Sequence, residues 1–410
     1  MDKLQQQAIV AVLDDLRLRI APMLSDPTAV ATLGMGQHVL AYLLARRPMA
    51  AAVAGTIAGE LQQLEAEERE EDTLIQGKVS TTGFQALTLE LLEPYLQKGL
   101  KNSKLRVTGL TLTLGGFSKM TYIVDLSGAD AIGNRIVVRR DAEFPPTEFR
   151  AAEELPVLKV MFRHGITVAE PLWADDPSPF GGSILVSRCV SGHSVYEKSG
   201  RGMGDNSVPA ALALARVIAK VHAVPINEVG LPPERANAPA EVHVARIIDG
   251  LKEVWQRRRI WYSPTIEAAF AWVRGNIPQN GPGPTIVHGD ASLRNFLVES
   301  GEARALLDWE LWHVGDPTED LELCKPEIEQ VMPWDQFMAE YRAHGGCNYD
   351  PAIGEYYGLL IALWQAVNTG CAIEGFVRAT IPELRTGFVG TYHYRRLVRD
   401  VARRLSALST

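Results

Sequence analysis

The sequence predicts an α+β fold: a small antiparallel sheet lobe followed by a mainly helical lobe, with an extra helical region in front. Three features predict it. Apolar residues recur every three or four positions up to about residue 99, alternate with a period of two between 105 and 190, and return to the helical period from about 207. Glycines punctuate the alternating stretch, as strand-to-strand turns require. The 410 residues suffice for two or three domains. The boundaries are placed at 1–82 for an N-terminal helical extension, 83–192 for the sheet lobe and 193–410 for the helical lobe.

Residues 1 to about 75 read as helices. In QQAIVAVLDDLRLRIAPML, residues Ile9, Val12, Leu13, Leu16 and Ile20 share one face. A second helical stretch runs near 36–46, and a third, AGTIAGELQQLEAEEREED, turns acidic from Glu65 to Asp72, the composition of a solvated helix end. STTGFQALTLELLEPYLQKGL opens with a cap signal and ends at Gly99. KLRVTGLTLTLGGFSKMTYIVDL then reads as two strands joined at Gly115-Gly116, and NRIVVRRD as a third. EELPVLKVMFRHG is a helix closed by Gly165, and GGSILVSRCVSG a further strand running to Gly192. Beyond 207, VPAALALARVIAKVHAV, EVHVARIIDGLKEVWQRRRIW and PTIEAAFAWVRGNI are amphipathic helices. PQNGPGP is a loop, NFLVES and ARALLDW form a hairpin, and YYGLLIALWQAVNTGCAI is a buried helix.

The formal charge of −8 argues against a nucleic-acid partner, because phosphate contacts need clustered Lys and Arg. The four cysteines, Cys189, Cys324, Cys347 and Cys371, are scattered with no C-x-x-C pair, as expected of reduced thiols in a cytoplasmic protein. MDKLQQQ lacks the start of a signal peptide. MAAAVAGTIAG, at 49–59, is shorter than the roughly 20 residues a membrane span needs. The expectation is a cytoplasmic chain that does not enter a membrane.

The chemistry concentrates in IVHGDASLRN, residues 286–295. Ile286-Val287 reads as the end of a buried strand, and charged groups held just past it need partners. Asp308 ends the strand ALLD, thirteen residues after Asn295. If the flanking strands pair through ESGEA, Asn295 and Asp308 lie side by side at the open end of the hairpin, with Asp290 one short loop away. An amide oxygen beside a carboxylate is a hard site suited to Mg²⁺. Read alone, the loop leaves open the lesser alternative that Asp290 and Asn295 only cap a turn. His288 reads as a brace for the loop, Asp316 and Asp320 as caps or tethers after the metal strand, and His222 as a satisfied core histidine. Glu310 could reach the metal or serve structurally, and Lys119 could meet a phosphate or be a solvated loop lysine. Trp255, Trp261, Tyr262 and Trp364 read as packing residues before they read as a substrate frame.

His288-Gly289-Asp290, with Asn295 after four intervening residues, resembles the protein-kinase catalytic loop H-R-D-x-x-x-x-N, with Gly289 in place of Arg. VHGDASLRNFLV with ALLDWELWHVGDPTEDL is similar to the aminoglycoside phosphotransferase and choline kinase group, which has a protein-kinase-like two-lobe fold. LGGFSKMTY and RIVVRRD extend the resemblance upstream, and it is closest to the kinase-like domain fused to some acyl-CoA dehydrogenases.

The resemblance implies roles. Asp290 would be the catalytic base, and Asn295 and Asp308 would hold Mg²⁺. Gly115, Gly116, Phe117 and Ser118 would lay backbone N–H groups over the phosphates. Arg139 stands where kinases carry a lysine, with Arg140 on the other face; its planar fork could grip two phosphate oxygens or pair with a helix carboxylate, Glu154 first and Glu153 as fallback. Ser187, Arg188, Cys189 and Val190 would line the adenine. The implied cofactors are Mg²⁺ and ATP, with GTP the alternative nucleotide, and the implied partner is a small hydroxylated substrate. A homodimer through the N-terminal helices is a further expectation. The rival readings are a nucleotide-binding module without turnover, a kinase confined to aminoglycosides, and a metal-dependent hydrolase built on His288 and Asp290.

Overall fold

The structure is a computed structural model describing residues 87–113, 118–129, 131–142, 148–196, 206–259, 262–377 and 393–408. The expected N-terminal helices, the dimer surface assigned to them, Trp261 and the glycine turn Gly115-Gly116-Phe117 lie outside the described residues.

Helix α1 (Leu89–Gly99) lies against a five-stranded antiparallel sheet of order β1-β2-β3-β5-β4. Its strands are β1 (Arg106–Leu112), β2 (Lys119–Ser127), β3 (Arg135–Asp141), β4 (Pro171–Asp175) and β5 (Ile184–Arg188). Leu92 and Leu96 of α1 pack with Val124, Ile136, Val138, Ile184 and Val186. The period of two explains β3: Ile136, Val138 and Arg140 are buried on the α1 side, leaving Val137 and Arg139 on the opposite face. Arg140 donates to the carbonyls of Gly181 (3.1 Å) and Phe180. The predicted strand running to Gly192 ends at Arg188. Beyond it the chain becomes a connector, in which His193 exchanges backbone hydrogen bonds with Val298 (3.0 and 2.9 Å).

Helix α2 (Glu154–Arg163) follows a short 3-10 turn and ends at Gly165, whose φ of +68° favours glycine. Its buried residues Val157, Leu158, Val160 and Met161 join the core of the helical lobe. That core includes Ile218 of α3 (Ser207–His222), Ile286, Phe296, Leu306, Trp309 and Leu321. Helices α4 (Pro233–Ala236), α5 (Ala240–Arg258) and α6 (Pro264–Gly275) come next. Three short strands follow: β6 (Thr285–Val287), β7 (Phe296–Glu299) and β8 (Glu302–Leu306). A fourth, β9 (His313–Gly315), pairs with β6, and helices α7 (Thr318–Ile328), α8 (Trp334–Ala343), α9 (Pro351–Val377) and α10 (Tyr394–Leu408) complete the lobe. A second core unites α5, α6, α9 and α10 through Ile248, Trp255, Phe270, Leu363 and Val401. Trp255 is wholly buried there, and Trp364 packs against the same cluster. Tyr262 is exposed, with Arg259 over its ring. No described helix is long and apolar enough to cross a membrane.

Candidate active site

Strand β6 is a fully buried three-residue run, so the chain leaves the core at His288 with polar groups that must be paired. Asp320 on α7 does most of this. Its carboxylate accepts from the backbone N–H of His288 (2.8 Å) and of Gly289 (2.9 Å), and it faces His222 Nε2 at 3.1 Å. His222 also meets the Tyr341 hydroxyl at 2.7 Å, so both its ring nitrogens have partners. Seven residues further along α7, on the same face, Glu327 accepts from the Leu293 N–H (2.9 Å) and from Arg294 (2.9 and 2.7 Å). The expectation tied Asp320 to the segment after the metal strand, whereas its contacts hold the loop at 288–289. Glu327 was not singled out, although its spacing of seven from Asp320 was the available signal.

His288 is fully buried and stacks edge-on against Trp309, ring centroids 4.5 Å apart. Its Nε2 donates to the Leu307 carbonyl (3.0 Å) and its Nδ1 accepts from the Asp290 N–H (3.1 Å). Burial holds its pKa below the usual range. A neutral imidazole with both nitrogens committed is a brace. Gly289 has φ of +80°, and a Cβ there would lie 2.5 Å from the Leu311 carbonyl oxygen. The departure from the kinase H-R-D therefore has a steric cause: the chain passes too close to the backbone at Leu311 for any side chain.

Strands β7 and β8 pair with Phe296 opposite Leu306, and the Leu307 N–H donates to the Asn295 carbonyl (2.8 Å). Asn295 and Asp308 thus flank the open end of one hairpin. The Asn295 amide nitrogen donates to the Asp290 carboxylate (2.7 Å) and carbonyl (3.0 Å), which turns its oxygen the other way. Burial, then the nearby Asp308 carboxylate, pushes Asp290 up to about 7, against the pull of Asn295 and Arg294. Asp308 adopts the left-handed conformation (φ 67°, ψ 63°) that Asp tolerates better than most residues.

Arg139 bridges the lobes. Its Nη1 donates to Glu154 (2.5 Å) and its Nη2 to Asp308 (2.5 Å). The helix partner is Glu154; Glu153 instead closes the turn by accepting from the Arg150 N–H (3.2 Å). Burial pushes Glu154 up to about 7 despite Arg139, and its second oxygen is buried without a hydrogen-bond partner. Lys119 is not a solvated loop lysine, as one of the two readings from sequence had it. It opens β2 with its side chain buried and pairs with Glu310 at 2.8 Å. The Ser118 hydroxyl also faces Glu310. At the far end of β5, Ser187 and Arg188 are committed to the sheet ladder, and the Arg188 N–H donates to the Glu170 carbonyl (2.9 Å). Cys189 and Val190 lie just past the strand.

Asn295 and Asp308 fit a Mg²⁺ ion by donor chemistry, both offering hard oxygens at one hairpin mouth. Among the described residues no three His, Cys, Asp or Glu side chains converge on one point. A divalent ion here would therefore draw its remaining oxygens from phosphate and water, as Mg²⁺ commonly does.

The exit from the loop carries a pH-sensitive pair. His313 Nε2 meets Glu319 at 3.0 Å and Nδ1 meets the Leu311 carbonyl at 2.8 Å. Burial opposes the charge, but Glu319 outweighs it and raises His313 from 6.5 to about 9. The pair's contribution is full below pH 6.5 and is lost as pH rises through about 9. Its ceiling is roughly 3 kcal/mol. Thermal unfolding of His313→Gln against the parent should show a gap in Tm that is wide at pH 6 and narrow at pH 9.5. A gap that does not change with pH would contradict this assignment.

Residues 110–368, more than half of the chain, match the phosphotransferase enzyme family. Acyl-CoA dehydrogenase family member 11 of Gallus gallus is 26% identical over 194 residues, covering 46% of this chain and 25% of that protein. The match thus spans about a quarter of the length of that relative. The aminoglycoside 3'-phosphotransferase of Escherichia coli is 24% identical over 168 residues, covering 38% of this chain and 58% of that protein. Among solved structures, a Ralstonia eutropha protein provisionally assigned as an aminoglycoside phosphotransferase superposes with a TM-score of 0.57 at 19% identity, covering 78% of this chain and 99% of that one. The macrolide 2'-phosphotransferase of Brachybacterium faecium gives 0.51 at 18% identity, covering 72% and 97%. These likenesses establish the protein-kinase-like two-lobe fold, and the chain belongs to the phosphotransferase enzyme family.

Proposed function

We propose that the chain is a Mg²⁺-dependent kinase that moves the γ-phosphoryl group of ATP to a hydroxyl of a small molecule, with Asp290 as the base. The observation that carries this reading is the Asp290 carboxylate. It is held by the Asn295 amide at 2.7 Å, raised to about 7, and placed on the same loop-and-hairpin unit as Asp308. A carboxylate poised there can accept a hydroxyl proton near neutral pH. Arg139 brings a permanent cation to the same place, positioned by Glu154, for the phosphate tail. Mg²⁺ held by Asn295 and Asp308 would supply the rest of the charge neutralisation. Phosphoryl transfer asks little covalent work of a protein, so positioning and electrostatics dominate. Arg294 lies near enough to Asp290 to lower its pKa. The Arg294 guanidinium is paired with Glu327, so it does not select between a small hydroxylated metabolite and an aminoglycoside, and both belong in the acceptor screen.

The test is a thermal-shift screen with Mg-ATP and Mg-GTP, each with alcohols, phenols and aminoglycosides, followed by mass analysis of the acceptors that stabilise the protein. A phosphomonoester of one acceptor, formed only with nucleotide present, is the expected result. Stabilisation by nucleotide with no phosphorylated product from any acceptor would instead favour a nucleotide-binding module.

A further inference from the structure

We propose that Lys119 is a positioning residue: a buried clasp that, with Ser118, engages both Glu310 oxygens and so leaves Asn295 and Asp308 as the protein's ligands at the metal position. The proposal rests on the Mg-nucleotide reading of the site.

The β2–β3 register places Lys119 opposite Asp141 and Thr121 opposite Arg139. Lys119 and Arg139 therefore share the face of the sheet that meets the segment Asp308–Leu311. Each cation takes one acid of that segment, Arg139 taking Asp308 and Lys119 taking Glu310, two residues on. An ammonium has three protons to place. The Lys119 Nζ lies 2.8 Å from Glu310, 2.6 Å from the Phe149 carbonyl and 3.7 Å from Asp141. Asp141 is itself fixed, accepting from the N–H groups of Ala151 (2.8 Å) and Ser183 (3.0 Å). The Ser118 hydroxyl lies 2.7 Å from each Glu310 oxygen, so both oxygens are engaged. The Lys119 side chain is 1% exposed and that of Glu310 9%.

A buried ion pair is weak evidence for stability, because desolvation cancels most of the attraction. What this pair does supply is a fixed position for Glu310. Glu310 already adds to the negative field on Asp290 while its oxygens are engaged; released, its carboxylate would be free to approach Asp308. It would compete for the divalent ion or repel the acids that hold it. The clasp therefore acts on the metal position through Glu310 and does not itself touch substrate.

The test uses Lys119→Met, Lys119→Arg, Glu310→Gln and the double variant K119M/E310Q. Binding of a fluorescent ATP analogue is followed while Mg²⁺ is titrated, and Tm is measured without ligand. K119M should raise the Mg²⁺ concentration for half-maximal binding about tenfold, the scale of one lost charge contact. Its binding of the analogue without Mg²⁺ should stay at the parent level, which a general loss of structure would not leave intact. The double variant, with no free carboxylate to misplace, should return most of the way to the parent value, and K119R should stay near it. An unchanged half-saturation in K119M, or a double variant as impaired as K119M, overturns the proposal.

If K119M does not fold but the double variant does, the interdependence of the pair is upheld; if neither folds, Lys119 is a structural residue and the proposal fails. If the parent protein binds no Mg-nucleotide, the proposed function fails. The clasp then has no metal position to act on and fails with it, an outcome told apart from failure of the clasp alone by the parent's own binding.

Discussion

Asp290→Asn is expected to lower turnover by about 10²–10⁴-fold, the range general-base catalysis contributes, while leaving nucleotide affinity close to the parent value. The substitution is chosen for its geometry. Asp290 accepts from the Asn295 amide through Oδ2, and an asparagine can present its oxygen to the same donor, so the loop keeps its contact and loses only the charge. The loop has independent supports: Asp320 holds the N–H groups of 288 and 289, Glu327 holds that of 293, and His288 is locked between the Leu307 carbonyl and the Asp290 N–H. The variant should therefore fold with nearly the parent Tm. Single-turnover kinetics with an acceptor from the screen make the measurement, alongside calorimetric titration of Mg-ATP. Parent-like turnover would show that Asp290 is not the base. A large drop in nucleotide affinity would show that it belongs to the phosphate side of the site.

Asp308→Asn should weaken Mg-dependent nucleotide binding by about two orders of magnitude, the size of losing several kcal/mol of metal-borne charge stabilisation. Asparagine suits the left-handed backbone at 308 and can still accept from Arg139. Alanine would add backbone strain and a broken contact to the lost charge, and so would confuse the reading. Binding measured without Mg²⁺ should change little or improve, because Arg139 is then less tightly held by the metal segment and freer to meet phosphate. Calorimetric titrations with and without Mg²⁺ separate the two contributions. Equal binding by parent and variant in Mg²⁺ would remove Asp308 from the metal position and leave the hairpin mouth without its principal ligand.

Much of the fold was legible because burial imposes a period. The change from 3.6 to 2 and back located the sheet lobe, and the alternation in RIVVRRD put Arg139 and Arg140 on opposite faces before any contact was known. The hairpin through ESGEA was legible for the same reason, since a short polar turn between two apolar runs leaves one pairing that buries both. The strand running to Gly192 was over-extended. Apolar residues continue past Arg188, but there the chain leaves the sheet and pairs with β7 through His193. Periodicity cannot tell a strand that stays from one that crosses to the other lobe.

By itself, then, the sequence determined a small sheet followed by a helical region, and the loop-and-hairpin unit carrying Asp290, Asn295 and Asp308, because these follow from local pattern and short-range pairing, while the two-lobe architecture was what the family resemblance implied. Only the tertiary structure decided which cation meets which acid. Lys119 with Glu310 and Arg139 with Asp308 join residues 191 and 169 positions apart. It also decided that Glu154 and not Glu153 faces Arg139, and that Asp320 and Glu327 hold the loop. Charged side chains have no period to betray their partners. Their pairing is set by which groups the packed lobes bring within hydrogen-bond reach once water has been expelled around them.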